Sequence, residues 1–292
     1  MAPRAARRAP GPVTWWCSAQ GVPWTWDWQA YPGVWLFVLT LGVLYARAIR
    51  RLEPARLAGD DRPTTRREIT LFTSGLVVLW IAADWPIGAL AAGYLLSVKT
   101  LQYILFVLVA PPLMLRGMPR WLLRRLLRSR VAVRAARVVT RPLVPFMVAN
   151  AVLIATHLPV VMDGAADSQL GAFLVDLLWI ASGFVMWWPA LGRLPELGPM
   201  RYPARIGYLL LFVFLPTVPA SFFTFSDYPI YATYELAPRV GGIGAVTDQR
   251  VAGLLMKTLG GFILFGTMSV MFFRWHARDV ADEPATQSPA AR

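Results

Sequence analysis

Apolar residues along this chain gather into seven long runs, at about 31–48, 69–88, 92–115, 143–162, 171–191, 205–225 and 251–273. Each is long enough, at 1.5 Å per helical residue, to cross roughly 30 Å of hydrocarbon. The pattern predicts an all-α, polytopic membrane protein: a bundle of about seven transmembrane helices in which the bilayer replaces water as the solvent. The second and third runs are parted only by Asp84-Trp85-Pro86 and a short Gly-bearing stretch, so their boundary is the least sharply drawn. Three regions follow from the pattern: an interfacial tail over 1–30 rich in Trp, the seven-span domain over 31–275, and a disordered tail over 276–292.

Polar residues inside these runs demand a reason, because a charged side chain at the bilayer centre costs roughly 2.5–3.5 kcal/mol on insertion scales. Lys99 and Tyr103 stand four residues apart in the third run, on one helical face. His157 closes the fourth run, Asp176 lies within about two turns of the start of the fifth, and Asp84 closes the second. Asp248, Gln249 and Lys257 bracket the start of the seventh. With helices alternating in direction, all eight belong to the same half of the membrane. They form a candidate polar site near the outer leaflet, set against the milder reading in which lysines snorkel and aspartates sit in loops.

Charge supplies the orientation. The chain carries 29 Lys+Arg against 16 Asp+Glu, and the arginines crowd into the links after the first and third runs, which the positive-inside rule places in the cytoplasm. The amino terminus is then outside and the carboxyl terminus inside. The 118–139 stretch alternates Arg pairs with Trp121 and Leu residues, which suits a topological anchor able to lie as an amphipathic helix on an anionic inner leaflet. A net charge of +13 does not signal nucleic acid, since no zinc-finger spacing, recognition helix or basic-aromatic stripe accompanies it.

The chemistry available is narrow. One cysteine, Cys17, excludes an internal disulfide and a thiolate clamp, and two histidines, His157 and His276, fall on opposite sides of the membrane. No Gly-x-Ser-x-Gly, His-Glu-x-x-His or paired catalytic carboxylates occur, so an enzyme is not expected. If a metal were held, His157 and Met256 are the candidate ligands. Lys257 in the last span invites a retinal Schiff base, but it stands too near the outer end for that reading.

A family resemblance rests on several segments. Ser97-Val98-Lys99-Thr100-Leu101-Gln102-Tyr103, then Ala110-Pro111-Pro112-Leu113 and Gly117-Met118-Pro119, resembles the Ser-x-His-Met-x-Gln-His, Ala-Pro-Pro-Leu and Gly-x-Pro signature of the seven-span CtaG family. His157-Leu158-Pro159, Gly183 with Trp187-Trp188-Pro189, and Asp248-Gln249 with Gly253-Leu254 and Met256 extend the likeness. The resemblance implies a multi-pass protein of the bacterial inner membrane that assists assembly of cytochrome c oxidase, a haem-copper enzyme of the respiratory chain, at its copper centres. Its partners would be the lipid bilayer and an oxidase subunit or another assembly factor.

This chain departs from that pattern where Lys99, Tyr103 and, in an ungapped alignment, Asp176 stand at family histidine positions. The substitutions imply an ion pair in place of ligands and no tightly bound copper. The other class of function is a small-solute or ion transporter using the outer-leaflet polar site; it would show broken helices or paired half-repeats. The orientation has a direct check: a reporter fused after Arg278 should be active only when the reporter is of the cytoplasmic kind, and activity of a periplasmic reporter there would reverse the topology.

Overall fold

A computed structural model describes residues 14–52, 62–198 and 200–282. Among them the regular structure is helical, with no strand: α1 Pro32–Leu52, α2 Arg66–Ala83, α3 Ile87–Gly93, α4 Leu96–Gly117, α5 Arg120–Leu126, α6 Arg130–Thr140, α7 Leu143–Thr156, α8 Pro159–Ala166, α9 Gln169–Leu191, α10 Tyr202–Phe225, α11 Ala232–Glu235 and α12 Ala245–Asp282. Five of these are long and apolar enough to cross a membrane, or up to seven spans if the bent pairs α2/α3 (46°) and α6/α7 (83°) each count as one. The long helices alternate in direction. One end of the bundle carries the 226–244 loop, and we call it the loop face; the other carries the Arg-rich links.

α4 is the axis of the bundle. Its most apolar window is 61% buried against 11% for α1, and it packs against α2, α9 and α12. Two prolines sit inside it, and a π-helical turn over Leu105–Val109 precedes them. Pro111 has no N–H to give to the Val107 carbonyl four residues back, which in a medium without water leaves an acceptor that must be satisfied elsewhere. Trp187 of α9 supplies the donor, its Nε1 lying 3.0 Å from that oxygen. One turn earlier on α9, Gly183 lets the helices close: a Cβ there would lie 2.6 Å from Pro111 Cγ and 2.8 Å from the Val107 oxygen. A related need arises at the end of α2, where the chain turns extended at Asp84 and leaves the Ala82 carbonyl without a helical donor; Gln102 Nε2 of α4 serves it at 2.8 Å.

The helix ends are closed by side chains. Thr65 and Glu68 form a capping box at the start of α2. Glu68 is buried and also meets Arg193 Nη2 at 3.3 Å, tying α2 to the link after α9. Burial draws the Arg193 guanidinium below its ordinary pKa and Glu68 pulls it back up. The 118–139 stretch folds as two helices, α5 and α6, with the exposed Arg130, Arg134 and Arg137 on α6, which turns sharply away from α7.

Two regional expectations need correction. Within the expected 1–30 tail, residues 14–19 pack into the loop face, with Trp16 and Cys17 2% and 3% exposed, while 20–30 are largely exposed, Trp26 and Trp28 among them. Ala19 N–H bonds the Ala166 carbonyl at 3.1 Å and Gly33 N–H bonds the Trp15 carbonyl at 2.9 Å. The apolar pairing of Trp16 with Phe37 and Phe173 outweighs an interfacial position. At the other end, α12 continues beyond residue 275 to Asp282, since nothing in the 276–282 sequence breaks a helix. The expected disorder over 283–292 and the basic start over 1–13 lie outside the described residues.

Close packing at Gly183 is testable. Gly183→Ala should cost about 1–3 kcal/mol, because the methyl meets backbone that cannot yield. Gly261→Ala on α12, where a Cβ meets nothing within 4 Å, should leave the melting temperature in detergent unchanged or slightly raised. A Gly183→Ala protein that melts like the wild type would contradict this packing.

Candidate functional site

Lys99, Gln102 and Tyr103 project from one face of α4, and Asp176 and Trp179 from the facing side of α9, each set spaced three or four residues apart. Where the faces meet, Lys99 Nζ lies 3.0 Å from Asp176 Oδ1 and 2.8 Å from Gln102 Oε1, and 4.6 Å from the centre of the Trp179 ring. Those three neighbours match the three protons of the ammonium. Lys99, Asp176 and Gln102 are 7%, 2% and 1% exposed, so the lysine does not snorkel. Trp16, from the segment over the loop face, donates its indole N–H to Asp176 Oδ2 at 3.0 Å and closes the pair off from above.

One layer deeper is aromatic. Tyr103 meets His157 and Trp179 edge-on, each with ring centres 5.2 Å apart. His157 Nδ1 is 2.8 Å from the Leu153 carbonyl oxygen. Because a carbonyl only accepts, Nδ1 carries the proton and Nε2 keeps the lone pair. Trp179 Nε1 donates to Thr156 Oγ1 at 2.8 Å, and Tyr231 donates to the His157 carbonyl at 2.8 Å. His157 also lines an open groove of about 880 Å³ with Phe222, Phe225 and Tyr228.

Of the eight residues selected by depth, the structure brings Lys99, Tyr103, His157 and Asp176 together and gives the others separate work. Asp84 ends α2 and accepts the indole N–H of Trp35 at 2.8 Å and of Trp80 at 2.7 Å, both on Oδ2, leaving Oδ1 buried without a hydrogen-bond partner among the described residues. Asp248 caps the start of α4, taking the Leu96 N–H at 2.6 Å, the Ser97 N–H at 3.3 Å and the Ser97 hydroxyl. Gln249 pins the loop, accepting from Ile230 N–H at 2.8 Å and donating to the Tyr228 carbonyl at 3.2 Å. Lys257 is exposed on α12 and reaches Thr217 Oγ1 at 3.1 Å. Shared depth does not make a shared site, because helices at one level can face different neighbours.

Sequence reasoning missed Gln102 and Trp16 as members of the cluster. Gln102 gave a signal, an uncharged polar group three residues from Lys99 on the same face. Trp16 gave none, since its contact joins residues 160 apart and begins in irregular chain.

The family model for the cytochrome c oxidase caa3 assembly factor (Caa3_CtaG) matches residues 43–278. The chain belongs to that family. No curated protein and no solved structure matches it. The matched region takes in every helix from the middle of α1 to the end of the apolar part of α12, so the caa3 assembly factor family supplies the whole bundle around Lys99 and Asp176.

Copper fits this member of the caa3 assembly factor family poorly. A Cu(I) site wants thiolates, thioethers or several imidazoles. Here the Lys99 ammonium fills the centre, hydrogen-bonded to the carboxylate that would otherwise be free, and His157 offers Nε2 alone. Met256 is buried on α12 beside a separate cavity, and Met162 is buried in α8. Among the described residues no group of three or more His, Cys, Asp or Glu is placed to hold a metal ion.

The pair lends itself to a double-mutant cycle. Lys99→Met strands Asp176 in a dry site and should cost about 3–5 kcal/mol in detergent unfolding. Combining it with Asp176→Leu should restore part of that loss, although the Trp16 indole is then left without its acceptor. Losses that simply add would mean the two side chains do not depend on one another.

Proposed function

We propose that this chain is a non-enzymatic factor of the bacterial inner membrane that helps assemble a haem-copper cytochrome c oxidase, and that it works by contact with a protein partner. The family match over residues 43–278 carries the reading. A body of seven spans, with the amino terminus outside and the carboxyl terminus inside, agrees with the arginine-rich 118–142 stretch on one end of the bundle and the loop face on the other. The partner is an oxidase subunit or a second assembly factor. Copper, if the process needs it at this point, comes with a ligand from that partner, because the ammonium of Lys99 stands where a cation would otherwise sit and little solvent screens it. A transport role draws no support from a polar cluster whose cation is held by Asp176, Gln102 and the Trp179 ring and covered by Trp16.

Purification of the full chain from native membranes in mild detergent tests both halves. Oxidase subunits should accompany it, and the chain separated from them should surrender Cu(I) to a competing chelator. Stoichiometric Cu(I) retained by the isolated chain and lost on His157→Ala would overturn the copper half. A pull-down free of oxidase subunits and other assembly proteins would overturn the assembly half.

A further inference from the structure

Guanidinium groups from α2, α4, α12 and the link after α9 converge at the Arg-rich end of the bundle. Arg116 is the last residue but one of α4, Arg67 stands in the first turn of α2, Arg193 follows the end of α9 by two residues, and Arg274 lies on α12. Arg116 is half-buried, and the charges that act on it most strongly are those of Arg274, Arg193 and Arg67, in that order. Hydrogen bonds hold the group in place. Arg193 Nη2 bonds the Met118 carbonyl at 2.5 Å, two residues from Arg116, and Arg205 Nη1 of α10 bonds the Leu191 carbonyl at 3.4 Å, two residues before Arg193. Arg205 and Arg278 share the ring of Tyr202, lying 5.1 and 5.2 Å from its centre.

Such a group is costly as it stands. An arginine in a protein cannot shed its proton, so like charges brought together and partly withdrawn from water repel with little relief from screening. The buried carboxylate beside them, Glu68, is already shared between Arg193 at 3.3 Å and Arg62 at 3.6 Å. Carbonyl bonds that keep these guanidinium groups from splaying apart therefore prepare a seat for an anion with several oxygens, and a phosphate suits the planar fork of arginine. The surroundings say which kind. One turn along α12 from Arg274, on the same face, Val270 is exposed, and one turn along α2 from Arg67 Leu71 is half-buried, so apolar surface continues from the charged cluster along both helices. A free phosphate makes no use of that surface, whereas the acyl chains of a phospholipid do. A choline headgroup would add its own cation to the surplus, so the headgroup is anionic. We propose that Arg116, Arg67 and Arg274 bind the phosphate of an anionic phospholipid whose chains run along the apolar faces beside them. This assignment is independent of the assembly role.

Native mass spectrometry of the full chain, released from phosphatidylcholine nanodiscs doped with phosphatidylglycerol, tests the assignment. The chain should carry phosphatidylglycerol in preference to phosphatidylcholine. Retention should fall at least about tenfold on Arg116→Gln with Arg274→Gln, the expected loss of charge-assisted hydrogen bonds. If that protein fails to fold, Arg67→Gln with Arg274→Gln, both at exposed positions, should show the same loss. Arg134→Gln with Arg137→Gln removes equal charge from exposed positions of α6, at the same end of the bundle, and should change nothing. Inorganic phosphate should not displace the lipid. Equal carriage of the two lipids would overturn the proposal, as would an α6 variant that loses as much as the cluster variants, since attraction to the whole basic surface would then suffice. Displacement by inorganic phosphate would make this a free-phosphate site and equally overturn the lipid assignment.

Discussion

An unbroken series of hydrogen bonds runs across the bundle from the Ala82 carbonyl through Gln102, Lys99 and Asp176 to the indole of Trp16. It joins α2, α4, α9 and the segment over the loop face. Each member answers a requirement set by the one before it. The end of α2 leaves Ala82 without a helical donor, Gln102 supplies one from its amide and offers the other end to Lys99, and Lys99 in turn needs a carboxylate. Removing solvent makes each of these groups expensive alone and inexpensive together. The series thus specifies how four elements meet more than it adds to net stability, since desolvation of the ions offsets much of their attraction.

The orphaned carbonyl is the recurrent cause. The end of α2 at Asp84 frees the Ala82 carbonyl and Pro111 frees that of Val107, and each is answered by a side chain from a different helix, Gln102 in one case and Trp187 in the other. A soluble protein can leave such carbonyls to water. Inside hydrocarbon they become addresses that only a donor at the right height can fill. This is why Ala-Pro-Pro on α4 and Gly183 with Trp187 on α9 belong to one packing unit although they lie far apart in the chain. The glycine admits the proline and the tryptophan serves its orphaned oxygen.

Much of the helical scaffold was readable from periodicity and length, because runs of twenty apolar residues have few other uses. The facing of Lys99 and Asp176 was also readable, from the family resemblance, because both stand at positions where that pattern has histidines. Depth failed for Asp84, Asp248, Gln249 and Lys257, since it fixes height and says nothing about azimuth. Asp248 illustrates the difference: it lies within reach of α4 yet spends its oxygens on the Leu96 and Ser97 amides, a cap borrowed from another helix that no local sequence rule detects. Trp16 escaped for the opposite reason, being read as an interfacial anchor when a better apolar and polar fit was available 160 residues away.

That separation also bears on how the molecule is made. Trp16 and Cys17 are synthesised before Asp176, Phe173 and Gln169, against which the segment packs and which arrive only with α9. At 5–20 residues per second the segment waits roughly ten to thirty seconds for its seat. During that interval Lys99 has no Asp176 to meet, and of its partners only Gln102, bonded to the Ala82 carbonyl of α2, is already made. The segment over the loop face accordingly cannot dock before α9, and its docking reports that the fifth long apolar run has reached its place.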